Sequence, residues 1–189
     1  MSGFAERAMD LFHALHPLDR VPRAGYLLRG VTEPESVSAH SHAVALLALL
    51  FLDQYPGRWD RETTLAMALV HDLAEAQLMD IPMPVADAHL RDVKRSAEQA
   101  IFEGLFAGFP ARYAELHAAF AEAATPEAML LRGLDKAQMM IKVMAYEAEG
   151  RGRLAEFWCN PSNFRDFGVA EVSELFNAIC GRANRVRPV

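Results

Sequence analysis

Apolar residues recur at helical spacing along almost the whole chain. The first predicted helix presents one apolar face and ends at Pro17; that face is formed by Phe4, Ala8, Leu11, Phe12 and Leu15. The helices predicted after it span about 36–55, 60–78, 87–107, 111–123, 126–149, 154–158 and 169–185. We find no internal repeat, no low-complexity segment and no convincing strand. The pattern therefore predicts an all-α fold, built as an irregular helical bundle.

Prolines, glycines and capping residues mark the ends of these helices. Residues 17–35 contain three prolines and two glycines and are predicted to form a connection. Ser36 or Ser38 could cap the helix that follows, and Thr125 is a suitable cap before a proline in the first helical position. The prolines after Asp80 cannot continue the helix over 60–78, because proline lacks an amide donor and clashes with the preceding turn.

Composition narrows the class of protein. A chain of 189 residues suits one sizeable core, so we expect a single domain over 1–189. Its formal charge of −6 gives no electrostatic footprint for nucleic acid, and its two cysteines fit a reducing compartment. The N-terminus lacks the layout of a signal peptide, and the longest apolar run, 43–52, is about half of a membrane span. We expect a soluble, cytoplasmic protein that binds neither nucleic acid nor membrane.

The strongest chemical signal is a polar cluster at the end of an apolar run. Residues 64–70 are almost entirely apolar and lead directly into His71 and Asp72, with Glu75 one helical turn later. A carboxylate near a helix C-terminus is unfavourable with respect to the helix dipole, so something else must require it there. On a continuous helix Glu75 would share a face with both His71 and Asp72, where it could take a proton from a metal-bound water. A divalent cation would explain the cluster.

Two more candidate ligands lie far away in sequence. His40 is on the helix predicted over 36–55, and antiparallel packing against the next helix could bring it to the same ion. Asp135, on the helix predicted over 126–149, would complete a set of four ligands. The order His, then His-Asp, then Asp is typical of the HD superfamily of metal-dependent phosphohydrolases.

Three polar residues nearby each have two interpretations. Asp80 could only turn the chain before the prolines, or it could position an attacking water beside Glu75. Arg23 could bind phosphate through its planar fork, or it could be an ordinary surface arginine. Lys136 could neutralise phosphate, or it could form an ion pair with a glutamate such as Glu147.

Longer segments make the resemblance more specific. The chain resembles the YfbR-like family of HD-domain 5′-deoxynucleotidases from about residue 18 to residue 158, in that family's order and spacing. The segments that carry the resemblance are 22–30 (PRAGYLLRG), 34–40 (PESVSAH), 68–75 (ALVHDLAE), 80–82 (DIP), Asp135-Lys136, 145–147 (AYE) and 156–158 (EFW). It implies a metal-binding HD core over about 18–158, followed by a C-terminal helix at about 169–185.

The resemblance also implies a site and a reaction. It implies one divalent metal with the ligands His40, His71, Asp72 and Asp135. It also implies that Glu75 and Asp80 handle and aim the nucleophilic water and that Arg23 contacts the phosphate. We further predict substrate contacts for Tyr26, which stands beside the sugar where relatives usually carry Trp, and for Lys136. The implied reaction hydrolyses deoxyribonucleoside 5′-monophosphates, in a homodimer. Nitrogen and oxygen ligands together favour Co, Mn, Fe, Zn, Ni or Cu, with Mg less favoured.

Three alternatives stay open at this point. The enzyme could act on another phosphoester, such as a nucleoside triphosphate. Some HD proteins bind two irons and oxidise their substrates, and here His42 and Glu75 could be recruited as additional ligands. A non-catalytic metal-binding protein is the third alternative, which the presence of the full ligand set together with Glu75 disfavours.

Overall fold

The computed structural model describes residues 3–82 and 89–188, and most of these residues are helical. The α-helices, in chain order, are α1 (Phe4–Leu15), α2 (Ala24–Leu27), α3 (Val37–Gln54), α4 (Arg61–Val70), α5 (Glu75–Leu78), α6 (Arg91–Leu105), α7 (Arg112–Glu122), α8 (Pro126–Ala148), α9 (Ala155–Cys159) and α10 (Ala170–Arg182). Two 3₁₀ turns, His16–Asp19 and Pro161–Phe164, complete the helical elements. In these described ranges, β-pairing is limited to an isolated antiparallel bridge between Pro22 and Ser36. The predicted all-α fold is confirmed.

Helix α8 is the central element of the bundle. It contacts α3, α4, α7 and α10, and Leu130, Leu131 and Leu134 along it are fully buried. Helix α3 also packs against both α4 and α8. The predicted convergence of His40 with Asp72 and Asp135 requires this packing. The side chains of His40 and Asp135 therefore start from two helices that lie against each other in the core.

Side-chain caps start the two longest helices where the sequence indicated. The hydroxyl of Ser36 accepts a hydrogen bond from the amide of Ala39, 3.2 Å away, at the start of α3. Thr125 accepts from the amide of Ala128 in the same way at the start of α8, at 3.2 Å. Each cap satisfies a backbone donor that the first helical turn leaves without an intrahelical partner.

The prediction of a continuous helix over 60–78 is wrong. Helix α4 ends at Val70, and a turn leads into the four-residue helix α5. The imidazole Nδ1 of His71 lies 2.8 Å from the carbonyl oxygen of Ala68, the acceptor that the amide of Asp72 would use in a continuing helix. Backbone bonds there tighten instead to a three-residue spacing, as from the Glu75 amide to the Asp72 carbonyl at 3.0 Å.

Other elements differ less from the predictions. The connection over 17–35 contains the short helix α2, which was missed. The helix predicted from about 87 is observed from Arg91, and residues 83–88 lie outside the described residues. The apolar face predicted for α1 is only partly covered, since Phe4 and Phe12 are 71 % and 75 % exposed. The helices predicted over 111–123, 126–149 and 154–158 are each observed within about two residues of those limits, and the last begins at Ala170 and ends at Arg182.

One described helix is long and apolar enough to cross a membrane by length and composition alone. This helix is α3, with 18 residues and a mean hydropathy of 1.2, of which 28 % are buried in the bundle. Its buried stripe consists of Val37, His40, Val44, Ala48 and Leu52. Length and composition alone do not distinguish a membrane span from a core helix, and α3 carries the buried imidazole of His40.

Candidate metal centre

Three of the four predicted metal ligands converge directly. One ligand atom each from His40, His71 and Asp72 can be chosen so that all three lie within 4.8 Å of one another. Asp72 Oδ2 lies 3.3 Å from His71 Nε2 and 3.7 Å from His40 Nε2. Donor atoms that share one ion at about 2.1 Å are about 3 to 3.5 Å apart, so these spacings fit a common cation. The turn after α4 thus achieves the convergence that was predicted from a continuous helix.

Asp135 joins this group from α8. Its Oδ1 lies 3.0 Å from His40 Nε2, so the carboxylate faces the same side of that imidazole as Asp72 does. Both histidines are buried, whereas the side chains of Asp72 and Asp135 are 17 % and 26 % exposed. The imidazoles therefore form the floor of the site, and the carboxylates stand between the floor and the solvent.

The hydrogen bonds of the two histidines assign the proton of each neutral ring to Nδ1, the nitrogen that faces away from the site. His71 Nδ1 must donate to the carbonyl of Ala68, because a carbonyl can only accept. His40 Nδ1 lies 2.6 Å from Gln138 Oε1, and the amide nitrogen of Gln138 donates to Glu35 at 3.2 Å. In neutral rings both Nε2 atoms then carry a lone pair, and both are buried with no hydrogen-bond partner among the described residues. Lone pairs that face carboxylates call for a cation between them.

Electrostatics keep the carboxylates ionised despite their surroundings. Burial alone would raise the pKa of Asp72, but the imidazole of His71 and the guanidinium of Arg23 hold it far below the usual range. Burial likewise opposes ionisation of Asp135, and His40 outweighs it, so the pKa of Asp135 is also lowered. The pKa of His71 is raised, because Asp72 outweighs the effect of burial. The donor set is therefore anionic, as a divalent cation requires.

Behind His40 lies a chain of hydrogen bonds that the sequence did not reveal. Gln138 links His40 to Glu35, whose amide donates to the hydroxyl of Tyr146 at 2.8 Å and whose carboxylate faces Lys142 at 3.7 Å. Such partners fix the tautomer and the orientation of a ligating imidazole. Gln138 lies three residues after Asp135 on α8. Its contact with His40 depends on the packing of α3 against α8, which the sequence pattern does not show.

Replacing Gln138 by Leu should weaken metal binding while the fold is retained. Without an acceptor at Nδ1, His40 loses the contact that keeps its Nε2 directed at the site, and losses of this kind cost about 10- to 100-fold in metal affinity. Isothermal titration with Mn²⁺ measures the change. Gln54→Leu, at the exposed end of α3, is the matched control and should bind like the wild type. Equal affinity in both variants would contradict the orienting role.

Glu75 lies beside the predicted ligands but does not take part in the contacts described above among them. Its side chain is 5 % exposed, and its Oε2 is buried without a hydrogen-bond partner in the part of the chain that the structure describes. Its pKa is raised well above that of an ordinary glutamate, first by burial and then by the neighbouring charges of Asp72 and Asp80. A carboxylate with a high pKa and one open oxygen is suited to accept a proton.

Arg23 and Asp80 form the rim of the site. Arg23 Nη1 lies 3.6 Å from Asp72 Oδ2 and 3.4 Å from Asp80 Oδ1. Asp80 Oδ2 also accepts a hydrogen bond from the amide of Ala24 at 2.6 Å, so both of its oxygens hold the segment that carries Arg23. Burial opposes the charge of Arg23, but Asp80 and Asp72 outweigh it and raise its pKa. Asp80 therefore helps to position Arg23. Its predicted role in aiming the attacking water stays a prediction.

A cavity opens next to Arg23 and Asp80. Its walls are formed by Arg23, Gly25, Tyr26, Arg29, Asp80, Ile81, Pro82, Met139, Glu156, Phe157, Asn160 and Asn163. Tyr26 is nearly fully buried in its wall, where it stacks on Phe157 at 5.5 Å between ring centroids and donates its hydroxyl to the carbonyl of Met139. Lys136 is buried on α8 next to Asp135. Substrate contacts for Tyr26 and Lys136 stay predictions.

Known proteins are similar to this chain in sequence and in fold. A family model described as HD domain matches residues 15–166. The 5′-deoxynucleotidase HDDC2 of Xenopus laevis is 32 % identical over 189 residues, covering 97 % of this chain and 90 % of the relative, and that of Homo sapiens is 31 % identical, covering 94 % and 87 %. The solved structure of the PH0347 protein from Pyrococcus horikoshii superposes with a TM-score of 0.79 at 34 % identity, covering 93 % of this chain and 99 % of that one. The chain belongs to the HD-domain family, together with these 5′-deoxynucleotidases.

Proposed function

We propose that this protein is a metal-dependent phosphohydrolase that converts deoxyribonucleoside 5′-monophosphates to deoxynucleosides and phosphate. The observation that carries the proposal is the buried pair of Nε2 atoms, on His40 and His71, that lack a hydrogen-bond partner among the described residues and lie close to the carboxylates of Asp72 and Asp135, with Glu75 nearby. The names of the relatives, 5′-deoxynucleotidases, support the class of substrate.

The residues present fit one divalent ion, held by His40, His71, Asp72 and Asp135. When bound, such an ion polarises a phosphoryl oxygen and lowers the pKa of water. Two imidazoles and two carboxylates favour Co, Mn, Fe, Zn, Ni or Cu over Mg, which prefers oxygen ligands alone.

The chain's own groups supply the remaining chemistry. Glu75 accepts the proton of the attacking water at Oε2, the oxygen that no other group occupies. Arg23 donates to the phosphate oxygens and stabilises the charge that develops on them, while Asp80 holds its guanidinium in place. The cavity wall formed by Tyr26 and Phe157 offers an aromatic surface for the nucleoside.

A phosphate-release screen tests the proposal. Ribo- and deoxyribonucleoside mono-, di- and triphosphates are incubated with the protein and with Co²⁺, Mn²⁺, Zn²⁺ or Mg²⁺. We expect turnover of deoxyribonucleoside monophosphates with a transition metal and little with Mg²⁺. Release only from triphosphates would identify a different phosphohydrolase. A metal content near two per chain, with oxygen consumption, would identify the oxidative class, and no turnover of any phosphoester would leave a metal-binding protein.

Assembly and location complete the proposal. We infer a homodimer in the cytoplasm. Large apolar side chains that the fold leaves exposed support it, among them Phe12 on α1 and Leu46 and Leu50 on α3, the last two 50 % and 56 % exposed. Light scattering during size-exclusion chromatography should give twice the chain mass, and a monomer at micromolar concentration would contradict the dimer. Cell fractionation checks the compartment.

A further inference from the structure

A lysine on α6 lies close to Glu75. Lys94 Nζ lies 3.9 Å from Glu75 Oε1 and 2.6 Å from Glu98 Oε1, and its side chain is 21 % exposed. Glu98 follows it by one helical turn on the same helix, so the ammonium is fixed between two carboxylates. Sequence patterns gave no reason to single out Lys94, because residues 79–90 separate α6 from α5, the helix that carries Glu75.

The contact distinguishes the two oxygens of Glu75. Oε1 faces the ammonium of Lys94, whereas Oε2 is buried without a hydrogen-bond partner within residues 3–82 and 89–188. The other charged groups that face this carboxylate among the described residues are Asp72, Asp80 and Arg23. Two of these three are negative, so Lys94 offsets repulsion that would otherwise turn the carboxylate of Glu75 away from Asp72 and Asp80.

We propose that Lys94 is a positioning residue for the reaction, holding Glu75 by Oε1 so that Oε2 is presented to the attacking water, with Glu98 holding Lys94 in turn. The proposal rests on the proposed function. It differs from a direct contact between Lys94 and substrate, which would act on binding. A misplaced proton acceptor slows the chemical step, whereas a lost phosphate contact raises KM.

Steady-state kinetics separate these roles. Lys94→Met should lower kcat about 10- to 100-fold, with KM and bound metal nearly unchanged. Lys94→Arg should restore part of kcat, because it returns a cation to the same helix position. The matched control is Arg95→Met, which removes the neighbouring cation, a 62 % exposed side chain paired with Glu122 at 2.9 Å. Unchanged kcat in Lys94→Met, or a rise in KM alone, would overturn the positioning role.

A second measurement does not depend on turnover. The chain has three lysines, Lys94, Lys136 and Lys142, so reductive methylation with ¹³C-formaldehyde gives few signals, and the Lys94 signal is the one lost in Lys94→Met. Glu75→Gln should shift that signal, and Glu122→Gln, which alters the partner of Arg95, should not. An unmoved Lys94 signal in Glu75→Gln would show that the two side chains do not interact.

The two measurements distinguish the two ways of failing. A wild-type protein that hydrolyses no nucleotide refutes the proposed function, and the ¹³C signal then still decides whether Lys94 holds Glu75. A wild-type protein that is active, with Lys94→Met equally active, refutes the positioning role alone.

Discussion

Glu75→Gln should bind the metal like the wild type and lose about 100- to 10,000-fold in kcat, the range that a general base contributes. The substitution keeps the shape of the side chain and its burial but removes its ability to take a proton. Glu75 is not within the predicted ligand set, and its Oε2 has no partner to lose. The expected result is therefore a protein with a full complement of metal and almost no phosphate release.

Elemental analysis and kinetics on the same preparation decide this expectation. Gln77→Glu, on an exposed position of the same short helix, controls for a change of charge near the site and should retain kcat. Full activity in Glu75→Gln would remove Glu75 from the mechanism. Loss of metal would instead make it a ligand.

The sequence predicted which residues meet at the site, but not the local geometry that brings them together. Glu75 was expected to share a face with His71 on a continuous helix, whereas the helix ends at Val70. The cluster still forms, because the His71 side chain takes the Ala68 carbonyl and the chain turns tightly at that point. A side chain that competes with the backbone for an acceptor leaves no mark in hydrophobic periodicity.

Residues that support the site from other helices were beyond sequence reasoning for a different reason. Gln138 and Lys94 each lie on a helix whose hydrophobic periodicity does not distinguish them from its other polar residues. Their roles depend on which helices pack together: α3 against α8 for Gln138, and α5 against α6 for Lys94. The same limit applies to α1, where the pattern showed an apolar face but not that Phe4 and Phe12 would stay exposed.

Asp72→Ala should abolish metal binding rather than weaken it. Asp72 Oδ2 is the carboxylate oxygen near both inward-facing imidazole nitrogens, at 3.3 Å from His71 and 3.7 Å from His40. Without it, the remaining carboxylate oxygen near an inward-facing nitrogen is Asp135 Oδ1, 3.0 Å from His40 Nε2. The oxygen that joins the two imidazoles is then missing, so His40, His71 and Asp135 no longer surround one point as a complete set of donors.

Thermal unfolding with and without metal measures this loss independently of activity. A ligand that binds only the folded state at 100 times its Kd stabilises it by about 2.7 kcal/mol, so the wild-type Tm should rise clearly on addition of Mn²⁺. In Asp72→Ala the rise should vanish, and elemental analysis should find no ion. Asp53→Ala, which removes an exposed aspartate paired with Arg61, should keep the full rise. A metal-dependent Tm in Asp72→Ala would mean that His40, His71 and Asp135 suffice as ligands, and that Asp72 serves chiefly to hold Arg23 toward the phosphate.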